Sequence, residues 1–369
     1  MPVEAGENPR FLKEQLITCL GNKRGLLGFI EQAVNKVAKR LGRNKLCLFD
    51  AFSGSGAVSR CLKQYASRLI TNDMEPYAAI ANHCYLSNPS EIPLTRLKEI
   101  HQDIIRTLEN SPLKEGFITE LYAPKDDKNI ATGERVFYTR RNALFIDSAR
   151  QIISTLPPEL QNYFTAPLLS EASIHANTAG VFKGFYKDKN GIGKFGGQRA
   201  NALQRILGGI TLPFPVFSNF ECEHQVYQQD SNTLAPTLKG LDITYIDPPY
   251  NQHPYGSNYF MLNLIASYRC PKTISPVSGI PQNWNKSPYN KRNQAAAALE
   301  TLITSLDTRF LLISYNAEGF ITPSQMTRIL SPLGTLEIMK ADYTVFRGSR
   351  NLKQRPIQVK EYLYLVEKK

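Results

Sequence analysis

Asp247-Pro248-Pro249-Tyr250 puts a carboxylate, two rigid prolines and an aromatic ring into four consecutive positions. Such a set can hold a flat molecule that carries an exocyclic amine. The carboxylate and a free carbonyl can each accept one N–H, and the ring can stack on the molecular plane. Proline has no N–H to give to a ladder, so a sheet has to stop there. Pro249 also pushes Pro248 into an extended conformation. A second set lies nearer the N-terminus, where Phe52-Ser53-Gly54-Ser55-Gly56 forms a G-x-G turn. Its glycines let the backbone approach a ligand closely. Asp73 follows roughly twenty residues later, where an acid would take ribose hydroxyls, with Glu75 as its competitor. Gly21-Asn22-Lys23-Arg24 precedes an apolar-periodic run and offers a helix start that could bind an anion. Asp230, at the end of another strand-like run, could accept the amine of an adenine ring.

The elements around these sets must bring them together. Leu241-Asp242-Ile243-Thr244-Tyr245-Ile246 reads as a buried strand running into Asp247. The stretch 46–50 reads as a second strand, followed by the glycine turn and a helix to about Tyr65. Strand, glycine turn and helix is the context that a nucleotide-binding loop needs, with ligands bound at the carboxyl ends of the strands. The spacing of Leu26, Leu27, Ile30, Val34, Val37 and Leu41 predicts a helix that stops at Gly42. Further strands are expected over 68–72, 223–230 and 309–316, and helices over 76–88, 293–306 and 322–330. Two strand-like runs close the chain around Arg347, Arg350 and Lys353, as a hairpin with a basic loop. The polar, aromatic stretch 251–259 reads as a flap over substrate. From about 89 to 220 the strand–helix alternation blurs. A basic, aromatic, glycine-rich stretch there carries Lys183, Lys187, Lys194 and Arg199, suited to phosphate contacts and base-edge probing.

Composition sets the outer limits. With 369 residues, 42% of them hydrophobic, the chain can bury a large core. The formal net charge of +12 favours a polyanionic partner, nucleic acid first. The six cysteines show no C-x-x-C pair and read as reduced core residues of a cytoplasmic protein. They show no zinc spacing with the five histidines, so no metal site is expected. The polar N-terminus is no signal peptide, and no run is apolar enough to span a membrane.

The early Gly-Asn-Lys-Arg, the glycine turn and the later Asp-Pro-Pro-Tyr, in that chain order, resemble the D12 class (α group) of adenine-specific DNA methyltransferases. The likeness covers most of the chain and is weakest over 90–220. It implies an α/β fold: a Rossmann-like, mostly parallel sheet with helices on both faces, a C-terminal antiparallel hairpin and an inserted target-recognition domain. The catalytic domain would comprise 11–90 and 221–369, and the recognition region 91–220. The resemblance implies S-adenosylmethionine as cofactor, with Lys23 and its neighbours Gly21 and Asn22 at the methionine part. Phe52, Ser53, Gly54 and Gly56 would line the cofactor loop, Asp73 would take the ribose and Asp230 the adenine. Asp247, Pro248, Pro249 and Tyr250 would hold the target adenine. Lys183, Lys187, Lys194, Arg199, Arg347 and Arg350 would contact DNA. The implied activity is N6 methylation of a flipped adenine within a specific double-stranded sequence, by a solitary enzyme or one partnered by a restriction endonuclease. Rival readings are methylation of cytosine N4 or of an RNA adenine, and a catalytically idle DNA-binding protein on the same scaffold.

Overall fold

The computed structural model describes residues 6–19, 21–197, 200, 202–344 and 358–369, with backbone alone for 343, 344, 358 and 359. Its seven strands are β1 (Leu46–Asp50), β2 (Ala66–Asn72), β3 (Glu223–Tyr227), β4 (Leu241–Ile246), β5 (Thr308–Asn316), β6 (Gly334–Thr344) and β7 (Gln358–Lys368). They form one sheet in the order β3-β2-β1-β4-β5-β7-β6. The first five strands pair parallel. β7 runs antiparallel between β5 and β6. The sheet is therefore mostly parallel and ends in an antiparallel pair, as expected. Arg347 and Arg350, in the expected hairpin loop, lie outside the described residues.

The strands are apolar in near-continuous runs because both faces are covered. Side chains alternate between faces with period two. Phe49, Ile70, Leu311, Ile313, Tyr364 and Val366 point to one face, where they meet Leu299, Leu302, Ile303, Met326 and Leu330 of the helices Ala295–Ser305 and Pro323–Leu330. Leu48, Leu69, Phe310, Leu312, Leu363 and Leu365 point to the other. There they meet Ile30, Val34 and Val37 of the helix Leu27–Leu41, with Val58 and Leu62 of Ala57–Lys63. Burying each leucine or isoleucine in such a layer contributes about 1.5–3 kcal/mol before the entropy of ordering it is counted. Leu27–Leu41 ends where the period predicts, at Gly42 in the left-handed region with φ 61°.

No strand lies between β2 and β3 among the described residues. That length folds into helices, chiefly Leu94–Asn110, Arg140–Ile153 and Pro158–Ile174. A third core holds Leu97, Ile104, Ile146, Leu168 and Leu169 from them. The same core holds Tyr77 and Tyr85 of the helix Pro76–Leu86, and Tyr259 to Ala266 just after the Asp-Pro-Pro-Tyr turn. It thus draws on residues from both sides of positions 90 and 220. In the stretch 251–259, expected as a flap over substrate, Gln252 and His253 are exposed and the second half is helical and buried. Tyr255–Asn258 is a helical turn leading into the helix Phe260–Ser267, and Gly256 to Tyr259 are buried, because Tyr259 belongs to this third core. One cysteine also departs from expectation: Cys270 is exposed.

Candidate functional site

β1 and β4 are neighbours, but the chain leaves them in opposite directions. β1 leads outward to β2 and β3, and β4 leads to β5 on the other side. Open α/β sheets bind ligands at such a switch point, beyond the carboxyl ends of the strands. The glycine turn follows β1 and Asp247 follows β4, so the topology brings them together. Between them lies a cleft. Of the candidate residues, Gly21, Asn22, Lys23, Phe52, Ser53, Gly54, Asp73, Asp247 and Pro249 line it. Gly56, Asp230, Pro248 and Tyr250 are not in its lining.

The glycine turn is shaped by backbone needs. Gly54 and Gly56 sit at φ 51° and 76°, in the left-handed region that glycine enters without penalty. The turn is tied down by side chains. Asp73 Oδ2 accepts the Gly54 N–H at 2.8 Å, and its Oδ1 accepts the Glu75 N–H at 2.9 Å. Asn82 Nδ2 donates to Ser53 Oγ, and that hydroxyl donates to the Asn72 carbonyl, at 3.0 and 3.1 Å. The Ser53 side chain is therefore engaged in holding the turn. Asp230 caps the short helix Ser231–Leu234 through the Asn232 and Thr233 N–H groups, and the Asn232 side chain accepts from the Tyr289 hydroxyl at 2.8 Å. Tyr289 packs edge-on against Phe52, with ring centroids 5.2 Å apart.

Lys23 reaches the end of β4. Its Nζ is 3.2 Å from Asp247 Oδ1 and 2.7 Å from Glu361 Oε1 of β7. Burial works against its charge, but the two carboxylates outweigh that and hold its pKa well above the ordinary lysine value. Gly21 sits at φ 76°, in the left-handed region that favours glycine, with the Tyr250 and Tyr255 hydroxyls close by. The Tyr250 ring stands edge-on to Tyr315, with centroids 6.3 Å apart.

The cleft is rich in carboxyl groups whose protons are held tightly. Burial pushes Asp50 to about 7, against the Ser59 hydroxyl that donates to its Oδ2 at 2.6 Å. Asp50 Oδ1 is buried, with the Phe52 N–H near it but no hydrogen bond of ordinary geometry. Burial, then the neighbouring Asp73, lifts Glu75 to about 7. Burial lifts Asp73 too, against backbone N–H groups. Burial raises Asp247 to about 6, with Lys23 opposing it and Glu361 adding to it. Carboxyls that ionise more readily beside a positive charge are suited to a cationic ligand. Among the described residues no group of side chains could hold a metal.

Several lining residues were not singled out from the sequence. Asp50 ends β1, and Asn285, Lys286, Ser287 and Asn290 form the wall opposite the glycine turn. Asn285 Nδ2 anchors that wall on the Met74 carbonyl at 2.8 Å. Glu361 lies beneath the cleft. Its signal was parity: it shares the inward face of β7 with Leu363 and Leu365.

The basic stretch closes on the same region. Lys183 Nζ lies 3.3 Å from His253 Nδ1, three residues past Tyr250. Lys187 pairs with Gly193 in an isolated antiparallel bridge. The turn between them is closed by Asp188 Oδ1, which accepts the Asn190 and Ile192 N–H groups at 2.8 and 2.9 Å. Lys183 and Lys187 are exposed and Lys194 half-buried, while Arg199 lies outside the described residues.

Comparison with known proteins gives consistent matches. The profile of the D12 class N6 adenine-specific DNA methyltransferase family matches residues 20–275. Type II methyltransferase M.NlaIII of Neisseria lactamica is 30% identical over 358 residues, covering 95% of this chain and 98% of that protein. Type II methyltransferase M.CviAII of Paramecium bursaria Chlorella virus 1 is 27% identical, over 94% and 97%. Type II methyltransferase M.FokI of Planomicrobium okeanokoites is 27% identical over 95% of this chain but 52% of its own length.

Proposed function

Since the chain belongs to the D12 class of N6 adenine-specific DNA methyltransferases, we propose that the cleft between β1 and β4 holds S-adenosylmethionine beside a flipped target adenine. The observation that carries this reading is the meeting of the glycine turn and Asp247 in one acidic cleft. When bound, S-adenosylmethionine supplies an electrophilic methyl group on a sulfonium. Asp50, with its under-bonded Oδ1, suits the ammonium of the methionine part. Asp73 and Glu75 suit the ribose hydroxyls. Phe52, backed by Tyr289, offers a face for the adenine ring, with Asp230 as acceptor for its amine.

The target amine is a poor nucleophile because its lone pair is delocalised into the base. Asp247 accepts one of its N–H groups and the Pro248 carbonyl the other, drawing the nitrogen toward a tetrahedral geometry. Tyr250 stacks on the base. Positioning and fixed charge do the work, and no strongly basic group is needed. In a duplex the amine is stacked and paired, so the base must be turned out to reach Asp247. Lys183, next to the loop after Tyr250, would hold phosphates together with Lys187 and Lys194 of the same stretch, with Arg199, Arg347 and Arg350 as further contacts. The type II relatives support a role as the cytoplasmic modification component of a restriction–modification system, with a cognate endonuclease as partner. No helix among the described residues is long and apolar enough to cross a membrane.

Expression in a host that lacks adenine methylation, followed by sequencing of its DNA for modified bases, tests the reading. Modified adenines within one short sequence are expected, and calorimetry should show S-adenosylmethionine binding that Asp50→Asn weakens. Unmodified DNA together with absent cofactor binding would contradict it.

A further inference from the structure

Glu361 and Lys23 are 338 residues apart in sequence, yet they meet under the cleft. The Lys23 side chain is 6% exposed and that of Glu361 3%. Ser314 Oγ of β5 donates to Glu361 Oε1 at 2.8 Å, and Asn316 Nδ2 to Oε2 at 3.4 Å. The carboxylate is thus fixed by two side chains of β5 before it takes the ammonium. Burying an ammonium with two carboxylates is a poor device for stability, since desolvation offsets their attraction. What the arrangement supplies is direction and sign. Lys23 is directed at Oδ1 of Asp247, and two carboxylates against one ammonium leave the set net negative.

We propose that Glu361 is a positioning residue for methyl transfer: it holds Lys23 on Oδ1 of Asp247, leaves Oδ2 open to the target amine, and keeps the charge beneath that amine negative. The inference rests on the reading of Asp247 as the acceptor of the amine. As the nitrogen–methyl bond forms and the sulfur–methyl bond breaks, the nitrogen gains positive charge before its proton passes by way of Asp247 to water. A fixed negative set below it stabilises that state without reorganising. Shared between two acceptors, Lys23 draws less on Asp247. Without Glu361 its whole charge would fall on Asp247 and weaken it as an acceptor. Asp50 of β1, Cys19, Tyr245 of β4 and Tyr255 share the field of Asp247, with Asp73 and Tyr250 beside them. All of them stay in place when Glu361 alone is changed.

The test follows the Asp247 carboxyl by carbon NMR in cofactor-free, aspartate-labelled protein, with its resonance assigned by its loss in Asp247→Asn. Glu361→Gln should move its titration to lower pH, because a neighbouring negative charge is gone. Lys23→Met should move it to higher pH, and the double variant should fall between the two. Single-turnover methylation should fall about ten- to a hundredfold in Glu361→Gln with DNA and cofactor affinities kept, less than the hundred- to thousandfold for a group at the reacting centre. If Glu361→Gln fails to fold, the double variant carries the test: a titration equal to that of Lys23→Met alone overturns the proposal. So does a Glu361→Gln enzyme whose rate falls while its Asp247 titration stays put, since that is a merely structural role. Titration shifts as expected, with Asp247→Asn methylating at the wild-type rate, would instead sink the reading of Asp247 on which the proposal rests.

Discussion

Asp247 concentrates the chemistry at the scale of single residues. Replacing it with alanine removes the acceptor that orients the amine. Lys23 and Glu361 cannot substitute, since one is a donor and the other is engaged by Ser314, Asn316 and Lys23. Single-turnover methylation should drop roughly a hundred- to a thousandfold, with cofactor affinity changed far less. Tyr250→Phe keeps the ring and should retain most activity, whereas Tyr250→Ala should lose about 1–3 kcal/mol of stacking on the flipped base. The buried carboxyls make a separate prediction about pH. Asp50 and Glu75 titrate near 7 and Asp247 near 6 in the folded, cofactor-free protein, all raised above their unfolded values. Each binds its proton more tightly folded than unfolded. The stability they contribute is therefore complete near pH 4 and is lost as pH rises through about 6 to 7. A cationic ligand favours their ionised forms, so its affinity should rise across that same window with release of protons. Calorimetry in buffers of different ionisation enthalpy should detect that release near pH 6, and Asp50→Asn should reduce it.

At the scale of elements, the glycine turn and the wall facing it should fail in different ways. Gly56 sits at φ 76°, and a Cβ there would come within 3.0 Å of Asn82 Oδ1. Gly56→Ala should cost about 1–3 kcal/mol of stability, read as a lower denaturation midpoint. Asn285 holds the opposite wall by a hydrogen bond to the Met74 carbonyl, with Glu75 as a further partner. Asn285→Ala should weaken cofactor binding by about 1 kcal/mol and leave the midpoint nearly unchanged. The turn was legible in the sequence because strand, glycines and helix are contiguous. The wall was not, because 284–290 has no period and becomes a wall only by docking on Met74. Similarly, Leu94–Asn110 buries one stripe, Leu97, Ile104 and Leu108, and its spacing could have been read as a helix. Pro158–Ile174 is buried on most sides, so its sequence carries no amphipathic period to read.

At the scale of the whole molecule, the order of the motifs along the chain made the cleft legible, since a mostly parallel sheet leaves few ways to bring two strand ends together. The Lys23–Glu361 contact was not legible. It depends on β7 inserting antiparallel between β5 and β6, which no local pattern encodes. The net charge of +12 includes Lys183, whose ammonium lies beside the loop after Tyr250. Replacing Lys183, Lys187 and Lys194 together with glutamine should weaken DNA binding and flatten its log–log salt dependence by roughly 0.9 per lost phosphate contact. An unchanged slope in a filter-binding titration would remove that stretch from the interface. The central claim is that Asp247, in the cleft shared with the cofactor, holds an adenine amine for methylation. The most direct measurement is mass spectrometry of nucleosides from duplex DNA after a single turnover with methyl-labelled S-adenosylmethionine, comparing wild type with Asp247→Ala. The label should appear on N6 of adenine with the wild type and be nearly absent with the variant. Label on cytosine, or equal labelling of adenine by both proteins, would contradict the account.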